Sequence, residues 1–355
     1  MNKNEIISII EKLASSLKSI KTTKVDAIND IPADIPQMDF WDWPQGVALF
    51  GMYLYYKETG DREILAYLKD WFKRNIEQGL PVKNINTMCP MLTLTYLYEE
   101  TKDKAHLKLL KEWLDYAMNE LPRTEEGAFQ HITAGGPNEG QLWDDTLYMT
   151  VLFVTRMGVI LKEEKYIDES IRQFMVHLKY LTDVKTGLFF HGWTFIEKNH
   201  FANALWGRGN SWYTAGLVDY LDMADLPDGV RLYLISSFER QVRALKELQA
   251  ENGMWHTLLD DKNSYVEASA TAAFAYGILK AVRKGYISKE YEETGLKALN
   301  AIASHIDENG VLNQVSMGTG MGEDLDYYRT IPICPQLYGQ SMAILLFAEY
   351  LKHFK

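Results

Sequence analysis

Hydrophobic residues in this chain follow two helical patterns that alternate from one end to the other. In the first, apolar positions recur every three or four residues and charged residues fill the rest. It covers 4–20, 61–76, 104–119, 165–181, 230–248 and 288–305. Within 230–248, Ile235, Phe238, Val242, Leu245 and Leu248 form the apolar stripe, leaving Glu239, Arg240, Arg243, Lys246 and Glu247 to water. In the second pattern the segment is apolar or small on nearly every side. GVALFGMYLYY begins at Gly46, MLTLTYLYEE at Met91, TLYMTVLFVTRMGVI at Thr146, SWYTAGLVDYL at Ser211, SATAAFAYGILKAV at Ser269 and QSMAILLFAEYL at Gln340. A helix that is apolar all round is buried all round.

The buried segments start at 46, 91, 146, 211, 269 and 340, a diverged repeat of helical hairpins. Short glycine-headed segments punctuate the second half: GAFQH at Gly127, GLFFHGW at Gly187, GMWHTLL at Gly253 and GVLNQVS at Gly310. Their spacing predicts short strands or turns at equivalent places in successive repeats. Six buried and six amphipathic helices fit two concentric rings, an all-α (α/α)6 barrel. An open superhelix would leave its terminal repeats uncapped. Length alone, 355 residues, suggests two domains; the closed ring predicts a single catalytic domain spanning 1–355.

Composition agrees with a large core, with 47% hydrophobic and 24% charged residues. The net charge of −11 disfavours a nucleic-acid partner, because an acidic surface repels phosphate. Two cysteines, Cys89 and Cys334, form neither a CxxC pair nor a disulfide framework and are expected to be reduced. At the N-terminus Ile6, Ile9, Ile10, Leu13, Leu17 and Ile20 share a helical face, and Glu5, Glu11 and Lys12 interrupt any signal-peptide core. No run of 18 apolar residues occurs, so no membrane span is expected. A cytoplasmic protein follows as the default, and the lack of an obvious exposed apolar face predicts a monomer.

In such a ring all inner helices run the same way, so the residues ahead of each converge at one mouth. They read WDWPQ (41–45), NINTMCP (84–90), QLWDD (141–145), LWGRGN (205–210), YVEA (265–268) and CPQLYG (334–339). The set is rich in Trp, Asp, Asn, Arg and Tyr. Aromatic faces with a few polar groups suit a sugar ring. QLWDD also poses a question: one aspartate can serve as helix N-cap, but its neighbour points about 100° away and needs another role. The helix dipole favours an ionised aspartate there, while packing against Trp143 and Tyr148 opposes it.

Other chemistries find little support. The eight histidines are scattered and no HExxH occurs, so no metal is expected. GxSxG, GxGxxG and a Walker loop are absent, so no nucleotide cofactor is expected; GTGMGE (318–323) lacks the Lys-Ser/Thr pair. His131, His191 and His256 occupy similar places in three of the glycine-headed segments and are either structural or directed at a ligand.

WDDTLYMT, FFHGW, WGRGNSW and RTIPICPQLYGQS together resemble glycoside hydrolase family 105, the unsaturated rhamnogalacturonyl hydrolases, from WDWPQG to YGQS. The resemblance implies an (α/α)6 barrel and a cytoplasmic enzyme without a cofactor. Its substrates would be oligosaccharides with a 4,5-unsaturated uronic acid at the non-reducing end, as polysaccharide lyases leave in pectin. Such enzymes hydrate the C4=C5 double bond, and the resulting hemiketal opens and releases the aglycone. Carried over by motif, Asp145 is the catalytic acid and base, and Asp144 becomes the cap. Trp143, Trp206 and Trp212 would pack on the sugars, with Trp43 in the early aromatic position. Arg208 and His191 would hold polar groups of the uronate, Arg208 its carboxylate, and His131 is a further match. One departure concerns NINTMCP: many relatives carry a second aspartate there, whereas this chain has Asn86, with Asn84 close by. Two alternatives remain at this point, a sugar epimerase or isomerase using His191 and His256 as acid and base, and a non-catalytic glycan-binding helical-repeat protein.

Overall fold

The computed structural model describes residues 1–23 and 34–354. Helix α1 (Lys3–Ser19) lies on the outside. Inner and outer helices then alternate: α2 (Trp43–Thr59) and α3 (Arg62–Gln78), α4 (Cys89–Thr101) and α5 (Lys104–Asn119), α6 (Leu152–Leu161) and α7 (Glu164–Leu181), α8 (Gly207–Met223) and α9 (Asp228–Leu248), α10 (Ala268–Arg283) and α11 (Glu292–Ser304). A short α12 (Leu325–Arg329) precedes the last inner helix, α13 (Leu337–Leu351). Neighbouring inner helices pack on one another in order, and α13 returns to α2, which closes the ring. The outer partner of α13 is α1, from the other end of the chain. The (α/α)6 architecture expected from the periodicity is the one observed.

The outer helices start where the sequence supplies acceptors. The Asp61 carboxylate accepts from the N–H groups of Glu63 and Ile64, and Asn2 with Glu5 forms a capping box. Along α3, Ile64, Leu65, Leu68, Trp71, Phe72 and Asn75 are buried, a single stripe facing inward. Inner helices are buried on every side: in α8 each residue from Gly207 to Leu221 is. Such helices approach closely only where side chains vanish. A Cβ at Gly277 of α10 would lie 2.6 Å from the Thr214 carbonyl oxygen of α8.

The four glycine-headed segments are equivalent turns. Gly127, Gly187, Gly253 and Gly310 all have positive φ, between 76° and 89°, a region that only glycine occupies freely. Short antiparallel pairs follow: β1 (Gln141–Trp143) with β2 (Gly192–Thr194), and β3 (Trp255–His256) with β4 (Val266–Glu267). Most inner helices start earlier than the apolar pattern indicates, at Trp43 rather than Gly46 and at Gly207 rather than Ser211. The added first turns of α2 and α8 carry Trp43 and Arg208 to the mouth. The third inner helix opens with a π-helical turn, Leu147–Val151.

Candidate active site

The approaches to four of the six inner helices, α2, α4, α6 and α8, deliver side chains to one small pocket lined by Trp43, Asn86, His131, Trp143, Asp145, Trp206, Arg208 and Thr319; the segments 265–268 and 334–339 before α10 and α13, expected to converge there too, supply none of this lining. Seven of these were expected from the sequence. Trp43 and Arg208 stand in the first turns of α2 and α8. Trp143 ends β1, and its register opposite Gly192 brings His191 alongside. Asn86 sits in the turn before α4. Asn84 is buried and spends its side-chain oxygen on the N–H groups of Asn86 and Thr87, so it organises that turn.

Three tryptophans form the walls, each braced from behind. Trp143 stacks on His131 with centroids 4.2 Å apart, and its Nε1 donates to Gln141 Oε1 at 2.8 Å. Trp43 packs on Tyr338 at 4.6 Å. Trp206 carries the Arg208 guanidinium 4.5 Å above its ring. Two expected contacts stand behind this lining instead. Trp212 is buried edge-on against Trp43 and supports it, and His191 lies beneath Asp145.

Arg208 is almost fully buried, yet among the described residues no carboxylate forms an ion pair with it. Its two terminal nitrogens donate to backbone carbonyls, one to Ser316 at 2.9 Å and the other to Met317 at 2.7 Å, while Nε has no partner. Carbonyl dipoles hold the guanidinium without neutralising it, which leaves a buried cation for an anionic group. The loop they belong to is itself pinned, because the Ser316 N–H donates to Glu267, the N-cap of α10, at 2.8 Å.

His191 Nε2 lies 3.4 Å from Asp145 Oδ2, and its Nδ1 pairs with the Tyr328 hydroxyl at 2.7 Å. Burial would raise the Asp145 pKa, but the hydrogen bond and charge of His191 more than offset it, so the carboxyl lies below its ordinary range. Burial pushes His131 down to about 3, and its Nδ1 pairs with Thr146 Oγ1 at 2.8 Å. It is neutral at physiological pH and serves as a flat partner for Trp143.

The expected cap role of Asp144 does not hold. Its carboxyl is wholly buried and makes no well-formed hydrogen bond among the described residues; only the backbone N–H of the adjacent Asp145 lies near it, and no N–H further into the helix is capped. The chain enters α6 through the π-helical turn, and only the Asp144 backbone carbonyl accepts from Leu147 N–H, at 3.3 Å. The side chain turns under Gly209 of α8, where a Cβ would come within 2.2 Å of Oδ2.

His256 does not line the pocket; its Nδ1 is bonded to the Ser264 carbonyl at 2.6 Å. An acid–base pair of His191 and His256 therefore has no shared cavity. Sequence reasoning missed Thr319 and Tyr328. The first lies in GTGMGE, noted only as glycine-rich, and the second in the one-turn helix α12, too short for a periodic signal. Among the described residues no helix is long and apolar enough to cross a membrane.

The whole chain has matching relatives. A family model described as Glycosyl Hydrolase Family 88 covers residues 15–354. An unsaturated rhamnogalacturonyl hydrolase of Bacillus subtilis, YesR, is 34% identical over 320 residues, 89% of this chain and 91% of that protein. The crystal structure of a possible GH105 member from Salmonella enterica serovar Paratyphi A superposes with a TM-score of 0.97 at 45% identity, covering 100% of this chain and 96% of that one. A family 105 glycoside hydrolase of C. acetobutylicum gives a TM-score of 0.81 at 26% identity, covering 96% of this chain and 98% of that one. This chain is therefore a glycoside hydrolase that belongs to Glycosyl Hydrolase Family 88, on the side that resembles family 105.

Proposed function

We propose that this enzyme removes a 4,5-unsaturated uronic acid from the non-reducing end of lyase-generated oligosaccharides by hydrating the C4=C5 double bond. The observation that carries the reading is Asp145, the one carboxylate among the pocket-lining residues, set among three tryptophans with an uncompensated arginine. Ordinary glycosidases flank the scissile bond with two carboxylates, about 5 or 6.5–9.5 Å apart. One acid suffices for hydration. Asp145 protonates C4, positive charge develops at C5 and the ring oxygen, and water adds at C5 and returns a proton to Asp145. The hemiketal then opens and frees the aglycone. Arg208 pairs with the uronate carboxylate, and Trp43, Trp143 and Trp206 hold the sugar faces. Asn86 positions a hydroxyl or the water.

The name of the Bacillus subtilis relative supports rhamnogalacturonan fragments, and so pectin, as the substrate source. The reading includes a cytoplasmic location and a monomer, tested by fractionation and by light scattering. The conjugated double bond absorbs in the ultraviolet, so turnover is read as loss of absorbance on lyase products of pectin and related polymers. The expected result is loss on the rhamnogalacturonan-derived disaccharide. Persistent absorbance on the whole panel would overturn the reading.

A further inference from the structure

Asp145 meets a difficulty as a proton donor. Its contact with His191 favours the ionised carboxylate, whereas protonation of C4 requires the neutral acid. The other polar side chains of the lining are poor donors of that proton: Asn86 is an amide, Thr319 a hydroxyl, Arg208 a fixed cation, and His131 is held neutral.

Asp144 lies immediately behind. One side-chain atom from each of Asp144, Asp145 and His191 falls within 4.8 Å of the others. The Asp144 carboxyl is shut off from water and roofed by Gly209, and it makes no well-formed hydrogen bond among the described residues, with only the Asp145 backbone N–H and carboxyl beside it. An ionised group there would be unsolvated and would face a second negative charge; a neutral carboxylic acid carries a hydrogen that Asp145 can accept.

We propose, building on the hydration reading above, that Asp144 and Asp145 are a dyad sharing one proton, in which Asp144 stores the proton that Asp145 delivers to C4. Asp144 acts through Asp145 and does not touch the sugar. Burial, and then the adjacent Asp145, raise the Asp144 pKa well above the carboxylate range. The charged and titratable groups around the pair are His191 beside Asp145, His131 across it, Arg208 from α8 and Tyr328 from α12. Arg208 draws the other way, but its terminal nitrogens are engaged by the Ser316 and Met317 carbonyls.

The proton count closes. The resting pair holds one proton and one negative charge. Its proton passes from Asp144 to Asp145 and on to C4, and the π electrons of C4=C5 form the new C–H bond. The pair is then doubly negative, and the cation at C5 and the ring oxygen balances it. Water oxygen bonds to C5, and the repulsion within the pair draws the water proton back. One water is consumed and nothing is oxidised or reduced.

The test compares wild type with Asp144→Asn on an unsaturated uronyl disaccharide across pH. The expected result is a roughly 100-fold fall in kcat at pH 7 with KM within about twofold. The alkaline limb of kcat/KM should move down by about one pH unit or more, because Asp145 alone loses its proton earlier. A variant with wild-type kcat and an unmoved limb overturns the dyad. Should the variant not fold, wild-type protein labelled with ¹³C at the aspartate Cγ decides. One aspartate carboxyl is expected to stay protonated at pH 7, and ionisation of all of them overturns the proposal. Activity that disappears on dialysis against a chelator also overturns it, since the pair would then hold a cation rather than a proton. If wild type turns over no unsaturated substrate, the hydration reading fails, and the carboxyl spectrum still settles the shared proton.

Discussion

The two ends of the barrel bury charge in opposite ways. At the far end, the C-terminal halves of the inner helices bring together cations and anions in matched sets. Lys280 Nζ of α10 lies 2.6 Å from Asp219 and 3.1 Å from Asp222, both of α8, and the Tyr276 hydroxyl also donates to Asp219 at 2.6 Å. Arg283 pairs with Glu349 of α13, and Arg156 of α6 with Glu99 of α4. At the mouth, among the described residues, Asp144 makes no well-formed hydrogen bond, Arg208 has no carboxylate ion pair, and Asp145 has only Asp144 and the two histidines His191 and His131 about it. The difference teaches that burial by itself does not mark a functional group. A buried charge without its complement does, because the ligand must supply it.

The largest effect expected at the mouth is that of Asp145→Asn. It should lower kcat by about 10³–10⁴-fold with an unchanged thermal midpoint, read by ultraviolet loss and calorimetry. Retained turnover would place the acid elsewhere. At the far end the sign of the comparison reverses. Lys280→Met leaves Asp219 buried and unpaired, so stability should fall by about 3–5 kcal/mol while the kcat of the folded fraction persists. The double variant with Asp219→Asn should recover most of that loss in denaturant melts; failure to recover would mean that the pair is not the unit of stability. Arg208→Lys keeps the charge but loses the planar fork held by Ser316 and Met317, and KM should rise about tenfold with a smaller change in kcat.

The smallest effect sharpens the contrast through pH. His131 titrates near 6.5 unfolded but is held down to about 3 when folded. Between those values the unfolded chain binds the extra proton, so stability is present above about pH 6.5 and is lost as pH falls toward 3. His131→Asn should flatten that part of the slope of thermal midpoint against pH. An unaltered slope would assign the acid sensitivity to other groups.

Ring architecture was legible in the sequence because helices buried on all sides and helices buried on one side leave different patterns. The converging mouth followed from geometry alone, and it brought Trp43, Asn86, Trp143, Asp145, Trp206 and Arg208 together. What periodicity cannot show is where a side chain turns once its helix has begun. Asp144 reads as a cap because aspartate before a helix usually is one; the π-helical turn and the gap at Gly209 send it inward. His191 and Trp212 were recognised by type, but their place behind the lining depends on the β1–β2 register and on Trp43. Thr319 lies in a loop without periodicity, where only the tertiary path of the chain reveals a role.

The ring is fastened by its two ends. Ser16 of α1 donates to the Gly310 carbonyl at 2.6 Å and receives the Gln340 amide of α13 at 2.5 Å. In the order of synthesis α1 comes well before its partner α13. Until α13 has emerged, the face of Ile6, Ile10, Leu13 and Leu17 has only slighter contacts, with the Gln37–Asp39 turn and α2, to cover it. Helix α1 is thus made long before it is fully sheltered, and nascent chains should depend on a holdase that grips its amphipathic face.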